Sequence, residues 1–369
     1  MGRAPNNPKP RRVPLDPPLS GADLSRHVAS LCRDAGFVAC GFAPASPSKW
    51  GPFLRGWIEA GRHGTMDYLA RDNDLREDPA RVLSGTKSFI VVADQYAPRG
   101  SDLPDRSGEA RPLGRVARYA QGRNYHEEMK KRLHALADRL REEVPGSDFR
   151  TCVDTVPILE REVAVAAGLG WQGRNTLLIH PTLGSYLLLG VVATTLELPP
   201  LEGQAIVTDH CGTCTRCIDA CPTKAITPYS IDASRCISYL TIEHREAIHP
   251  AFHEAIGDWV YGCDVCQEVC PHNSPRAFDT PSHAAYEANT RWLDLIDVLA
   301  WNAAARQLAF KTSPMKRANL DMMRRNAAIA LGHAIRTTGS TAARAALERF
   351  RDDEVPMVRE TVRHALGEA

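Results

Sequence analysis

Residues 210–222 read HCGTCTRCIDACP, and residues 262–271 read GCDVCQEVCP. These two stretches decide the middle of the chain. Cys211-x2-Cys214-x2-Cys217-x3-Cys221-Pro222 has the spacing with which bacterial ferredoxins hold a 4Fe–4S cluster, the proline included. Three thiolates two residues apart can wrap one corner of a cubane from a single loop. The fourth cysteine is carried away by the turn and serves the other cluster. Paired CxxC units also bind zinc, but zinc needs only four thiolates, and a four-member run ending in Cys-Pro is rarely a zinc site. The second run, Cys263-x2-Cys266-x3-Cys270-Pro271, lacks its first member, because position 260 is Val260. Cys236 is the obvious substitute. By cross-ligation one cluster takes Cys211, Cys214, Cys217 and Cys270, and the other takes Cys221, Cys236, Cys263 and Cys266. Cys32, Cys40 and Cys152 are left over and read as small buried hydrophobes.

Working outward, eleven cysteines without an export signal read as metal or redox ligands in a reducing, cytosolic setting. Residues 1–19 carry six prolines and no apolar core, so they are not a secretory signal; they read as a disordered tail. The longest apolar stretch, Tyr186 to Ala193, has strand length and cannot span a membrane. Lys+Arg is 45 and Asp+Glu is 44, so no global field draws the chain to a polyanion. A nucleic acid would have to be met by a local patch.

From Ser20 to about Thr195 helix and strand patterns alternate. Leu24–Ala35 is an amphipathic helix stopped by Gly36. Ser88–Asp94 is a buried strand, and Tyr125–Glu143 is a long charged helix with Leu133, Leu136 and Leu140 on one face. Thr176–His180 and Ser185–Thr194 read as a hairpin. After about Ser282 strands stop and Ala-rich helices take over. Met323–Gly332 resembles Val358–Gly367 at a distance of 35 residues, which suits a HEAT-like helical repeat or a plain helical bundle. Gly168-Leu169-Gly170-Trp171-Gln172-Gly173 matches GxGxxG but follows a helix, so Gly168 reads as a helix stop rather than a dinucleotide loop. No Walker A loop, Cys-x3-Cys-x2-Cys or Asp-x-His-x2-Gly occurs.

Several ordered segments then carry a resemblance. They are HGTMDYL (63–69), RYAQGRNYH (118–126), VDTVPILERE (153–162), GWQGRNTLLI (170–179), CISYLTIE (236–243) and PMKRANLDMMRRNAAIALG (314–332), together with both cysteine runs. From about Leu24 to the C-terminus the chain resembles the epoxyqueuosine reductase family, cobalamin-dependent iron–sulfur enzymes that complete queuosine in tRNA. Arg174 departs from the pattern, where lysine is expected; it keeps the charge but changes the donor geometry. The resemblance implies an α+β multidomain fold. Residues 20–200 would form a cobalamin-binding α/β domain, 201–281 a ferredoxin-like module with two 4Fe–4S clusters, and 282–369 a HEAT-like helical domain.

The family reaction is reductive loss of an epoxide oxygen, which takes two electrons and two protons. The missing corrinoid-histidine motif fits it, since reduced cobalt acting as a nucleophile wants no lower nitrogen ligand. The organic step belongs to the cofactor, and the protein supplies position, electrons and protons. An opened epoxide needs a positioned acid. The resemblance assigns that role to Asp154, at the end of a predicted strand where α/β ligand sites gather. Read from the residues alone, Asp154 could equally cap the following helix. As an acid it would need burial to hold its proton near neutral pH. Arg76, Tyr119, Tyr125, His126, Asn175, Ser238 and Tyr239, with Asp154, would line the corrin and nucleoside. Lys316, Arg317, Arg324 and Arg325 would meet tRNA phosphates, and the modified base would leave the anticodon stack to reach the site. A monomer served by a separate low-potential reductant protein is expected, without membrane contact. Two other readings stand beside this one: a reductive dehalogenase-like corrinoid enzyme and a ferredoxin-type electron-transfer subunit.

Overall fold

The computed structural model describes residues 13–97, 111–274 and 283–368. SFIVVADQ (88–95) has no charged residue before Asp94 and is buried along its whole length, so it needs apolar cover on both faces. The first part of the chain runs α1 (Gly21–Asp34), β1 (Ala39–Pro44), α2 (Gly51–Glu59), α3 (Asn73–Glu77), β2 (Ser88–Gln95), β3 (Leu113–Val116), α4 (Tyr125–Glu143), β4 (Phe149–Cys152), α5 (Glu160–Ala166), β5 (Trp171–Gln172), β6 (Leu178–Ile179) and β7 (Leu187–Thr194). A four-stranded sheet has the order β1-β2-β7-β4 and is antiparallel throughout. Strand alternation divides β2 between two cores. Ile90 and Val92 face α1 and α4, through Val28, Leu31, Met129, Leu133 and Leu140. Phe89, Val91 and Ala93 face α5, through Val163 and Ala164. Helix α4 sits so close to β7 that a Cβ on Gly190 would stand 2.8 Å from Met129 Sδ. Gly168 ends α5 with φ +73°, the left-handed turn that glycine enters without strain.

Three expectations are corrected here. Residues 176–194 do not form a hairpin: β6 pairs back with β5, Gly184 bridges His180, and β7 leaves for the four-stranded sheet. The switch-point argument for Asp154 also fails, because it belongs to parallel sheets and β4 runs antiparallel to its neighbour. Residues 1–12 of the expected disordered tail lie outside the described residues. Residues 13–19 dock instead: the Leu15 N–H donates to the Glu143 carbonyl at 3.0 Å, and Leu19 packs on the core.

The cysteine-rich part comprises α6 (Arg216–Asp219), β8 (Ile226–Thr227), β9 (Ser230–Ile231), α7 (Ile237–Ile242), α8 (His253–Ile256), β10 (Trp259–Tyr261) and α9 (Val265–Glu268). The last part holds β11 (Trp292–Asp294), α10 (Leu295–Leu299), α11 (Ala303–Ala309), α12 (Leu320–Thr338), α13 (Thr341–Arg349) and α14 (Pro356–Leu366). Strands therefore do not stop at 282, and the reason is topological. β3 lies between β10, its parallel partner, and β11, its antiparallel partner. This small sheet takes one strand from each part of the chain. The boundary expected at 281–282 lies outside the described residues. Behind the sheet, α12 is the hub of a core with Val116, Tyr261, Leu295, Met322, Met323, Leu331, Leu347 and Val362. The two repeat-like segments fall in α12 and α14, which pack together where a Cβ on Gly332 would meet Ala365. No helix among the described residues is long and apolar enough to cross a membrane.

Candidate active site and cluster sites

The cysteines fall into two groups. Cys211, Cys214, Cys217 and Cys270 line one cavity with Arg174, Asn175 and His272. Cys221, Cys236 and Cys266 meet beside Ala225 and Ile226, with Cys263 within electrostatic reach of Cys236 and Cys221. Burial, then the charges of the other three cysteines in its group, push the Cys270 thiol up to about 11. Burial and neighbouring cysteines likewise raise Cys263 and Cys266. Thiols so arranged are poor free nucleophiles. They become thiolates when a cationic centre offsets their charge. Among the described residues no set of three or more His, Cys, Asp or Glu side chains closes around a single metal ion. Two helix-start N–H groups, of Ser238 and Tyr239, point at the Cys236 sulfur, and Trp171 Nε1–H points at Cys211 Sγ at 3.5 Å. Such N–H···S contacts favour the thiolate.

A second site lies where the β4–α5 loop meets the start of α4. Asn124 caps α4 by accepting the His126 N–H, which fixes Tyr125 and His126 side by side, rings stacked with centroids 4.0 Å apart. The Tyr125 hydroxyl donates to Asp154 Oδ2 at 3.3 Å, and His126 Nε2 lies 3.5 Å from the same oxygen. Tyr119 stands edge-on to Tyr125 at 6.1 Å and tilts against Tyr261 at 6.4 Å. The segment after β10 that carries Cys263 reaches these rings too: a Cβ on Gly262 would lie 3.7 Å from the Tyr119 ring. Burial raises the Tyr119 and Tyr125 hydroxyls well above their ordinary values, with the Asp154 charge adding to both. Burial also holds His126 below its ordinary value, against the pull of Asp154. These phenols and this imidazole are therefore neutral at neutral pH.

Asp154 itself is not a helix cap. Leu159 occupies the position before α5, and Asp154 has φ +54°. Its side chain is 57% exposed, so the burial expected for a proton-holding acid is not supplied by protein side chains. Its backbone N–H donates to Glu160 Oε1 at 2.6 Å. Burial first, and the Asp154 charge second, push Glu160 up to about 8. Glu160 keeps some accessible surface.

The other expected site residues divide. Arg76 is buried and donates to the carbonyls of Arg71 and Tyr68, fixing the segment that carries Tyr68. Asn175 belongs to the cluster wall, with Nδ2 3.5 Å from the Cys266 carbonyl. The Tyr239 hydroxyl is held by the Thr65 N–H at 2.8 Å, and its ring packs on Gly64; it anchors the 63–69 segment. Lys316 and Arg317 are exposed. Arg317 binds both Glu243 oxygens, at 2.8 and 2.7 Å, lies 5.4 Å over the Tyr68 ring, and its charge reaches His126.

Arg324 and Arg325 do not form a phosphate-facing patch. Arg324 is 11% exposed and paired with Asp353, and Arg325 is 0% exposed, bound to the carbonyls of Leu240, His244 and Glu246. Helix α12 is packed by α7, α8, α10, α13, α14 and β10, so the second of two adjacent arginines has no outward face. Glu160, Tyr68 and Tyr261 were not singled out from sequence. Glu160 reads there as an ordinary acid at a helix start, and only its placement under Asp154 distinguishes it.

Comparison with known proteins agrees with this layout. Residues 76–155 match the family model described as Epoxyqueuosine reductase QueG, DUF1730, and residues 210–273 match a 4Fe-4S double cluster binding domain. A curated epoxyqueuosine reductase of Xanthomonas campestris pv. campestris is 39% identical over 349 residues, covering 94% of this chain and 96% of the relative. One from Pseudomonas aeruginosa is 36% identical over 365 residues, covering 97% and 98%. Among solved structures, an epoxyqueuosine reductase with an epoxyqueuosine-modified tRNA-Tyr stem loop superposes with a TM-score of 0.84 at 28% identity, covering 94% of this chain and 90% of the other. The Bacillus subtilis enzyme, solved with its aspartate catalytic loop swung out of the active site, superposes equally well, at 0.84, 28%, 94% and 90%. On relatives more than a third identical along nearly their whole length, the chain belongs to the epoxyqueuosine reductase family.

Proposed function

We propose that this oxidoreductase reduces epoxyqueuosine to queuosine at the wobble position of tRNA, with cobalamin at the catalytic centre and two 4Fe–4S clusters relaying electrons to it. One observation carries the reading. Asp154, on an exposed left-handed turn, is held against Tyr125 and His126 beside a group of aromatic rings in which Tyr119 adjoins Gly262, next to Cys263. The residues present fit a flat cofactor. Tyr119 and Tyr125 offer apolar ring surface, and His126 Nδ1 is buried without a hydrogen-bond partner among the described residues. Tyr119, Tyr125 and His126 would hold the corrin, which when bound supplies a strongly nucleophilic reduced cobalt.

The remaining work belongs to the chain. Loss of the epoxide oxygen as water needs two electrons and two protons. Tyr125 and His126 both approach Asp154 Oδ2, which leaves Oδ1 to carry a proton to the departing oxygen. Cys221, Cys236, Cys263 and Cys266 would hold the cluster nearer the aromatic rings. Cys211, Cys214, Cys217 and Cys270 would hold the other, beside the exposed residues Gly212, Thr213, Thr215 and Arg216, where a reductant protein could approach. Lys316 and Arg317 would meet tRNA phosphates. We read residues 20–200 as the corrin domain, 201–281 as the cluster module and 282–369 as a HEAT-like tail, in a cytoplasmic monomer. The relative solved with its aspartate loop displaced supports a mobile acid at this position.

The test is Asp154→Asn in anaerobically purified protein. Iron content and corrin absorbance should match wild type, while turnover of epoxyqueuosine-containing tRNA should fall by a factor of roughly 10² to 10⁴, the usual contribution of a general acid. Turnover near wild type would remove Asp154 from the chemistry.

A further inference from the structure

Seven residues join Cys152, the end of β4, to Glu160, the start of α5, and Asp154 stands on this loop. Its φ of +54° is a conformation that a non-glycine residue keeps only where its surroundings hold it. The turn closes on itself through the Thr155 N–H, which donates to the Val153 carbonyl at 2.5 Å, and three contacts tie it to its surroundings. The Asp154 carboxylate meets Tyr125 and His126. Lys130 Nζ donates to Thr155 Oγ1 at 3.2 Å. The Asp154 N–H donates to Glu160 Oε1 at 2.6 Å. Of these three the last is the shortest, and it is the one that ties the turn's backbone to a helix of the main core, since α5 buries Val163 and Ala164 under β2.

We propose that Glu160 is the positioning residue for Asp154: its carboxyl accepts the Asp154 N–H and keeps the acid's loop turned toward Tyr125 and His126. This rests on the reading of Asp154 as the acid. The electrostatics add a condition. Asp154 on the loop and Arg161 on the same helix are the charges that act on Glu160, and Tyr125 of α4 and Cys152 of β4 are the titratable groups that face it from the packed elements. Glu160 is pushed up to about 8, by burial first and by Asp154 second. Below that value it is protonated, and its carbonyl oxygen accepts the N–H with no charge set against Asp154. As pH rises through it, the charge on Glu160 is set against Asp154 in a buried place; the N–H bond itself favours the ionised carboxylate and offsets part of this, but burial and repulsion outweigh it, so the hold on the loop weakens.

The experiment compares wild type, Glu160→Ala, Glu160→Gln and Asp154→Asn as full-length, cofactor-loaded protein. Hydrogen exchange of the peptide 153–159, corrected for intrinsic rates, is read beside turnover. Glu160→Ala should exchange at least tenfold faster at the Asp154 amide and turn over at least tenfold more slowly, with unchanged iron and corrin. Glu160→Gln keeps the acceptor and cannot ionise. It should match wild type at pH 7 and surpass it at pH 9, where wild type declines. Unchanged exchange in Glu160→Ala, or faster exchange with unchanged turnover, would overturn the inference. So would an equal alkaline loss in wild type and Glu160→Gln, a comparison that holds even if the alanine variant does not fold. Full turnover by Asp154→Asn would overturn the reading of Asp154 and this inference with it. Low turnover by Asp154→Asn beside unchanged exchange in Glu160→Ala would overturn the inference alone.

Discussion

Replacing Arg325 by alanine should unfold this protein more readily without touching its salt response toward tRNA. A guanidinium has five N–H donors. In Arg325 all are placed: Nε and one Nη2 hydrogen on Asn326 Oδ1, two Nη1 hydrogens on the His244 and Glu246 carbonyls, and the second Nη2 hydrogen on the Leu240 carbonyl at 2.7 Å. None of these acceptors is an anion, and burial alone lowers the group to about 9. The Leu240 carbonyl and Asn326 Oδ1 belong to buried residues, and Asn326 Oδ1 has no other donor among the described residues, whereas His244 and Glu246 keep solvent access. Each of these two buried acceptors left unmet costs about 1–3 kcal/mol, and truncating a large buried side chain adds a cavity penalty of about 2 kcal/mol. Arg325→Ala should therefore lose roughly 4–8 kcal/mol. At an m-value of roughly 3 kcal/mol per molar urea the midpoint falls by about 2 M. Arg325→Lys retains the charge but offers three donors from a point ammonium, and should fall about half as far. Urea titration followed by far-UV circular dichroism checks both. An unchanged midpoint, with a flattened dependence of tRNA affinity on salt, would refute the reasoning and return Arg325 to the surface.

Cys236→Ala should lose one cubane and about half of the iron, with the other cluster's absorbance retained; full iron content would remove Cys236 from the ligand set. Arg317→Ala should weaken tRNA binding and reduce the slope of log K against log salt by about 0.7–0.9, whereas Arg324→Ala should leave the slope unchanged, because both arginines are ion-paired but the Arg317 side chain is 48% exposed and that of Arg324 only 11%. Equal slopes for Arg317→Ala and wild type would place the phosphate contacts elsewhere.

Ligand spacing was legible because thiolate geometry is a local property: two-residue gaps on a turn put Cys211, Cys214 and Cys217 in one cavity whatever surrounds them. The Ser88–Asp94 strand and the α4 stripe were legible for the same reason, since both are periodic patterns. The character of Arg324 and Arg325 was not. A run such as MKRANLDMMRR records charge but not which way each side chain turns, and here neighbours from six elements decide it. Tyr239 and Asn175 were read as ligand contacts because they sit in the right segments. Their partners, Thr65 and the Cys266 carbonyl, are distant in sequence. Glu160 was invisible for the converse reason: it is an unremarkable helix-start acid until the loop folds back and sets Asp154 over it.

The three-stranded sheet has a bearing on how the chain can be divided. β3 hydrogen-bonds on one edge to a strand of the cysteine-rich part and on the other to a strand made only when residues 292–294 have been synthesised. A fragment ending after the second cysteine run would leave one edge of β3 unpaired, an open template for another chain. It would also uncover Val116, Val260 and Tyr261, which share a core with Leu295 and Met323. An excised cluster module would in turn leave β10 without its partner. What resembles a string of interchangeable cassettes on a linear map is a single cooperative object, stitched at a seam three strands wide, and scissors applied at either expected border would cut through the stitch.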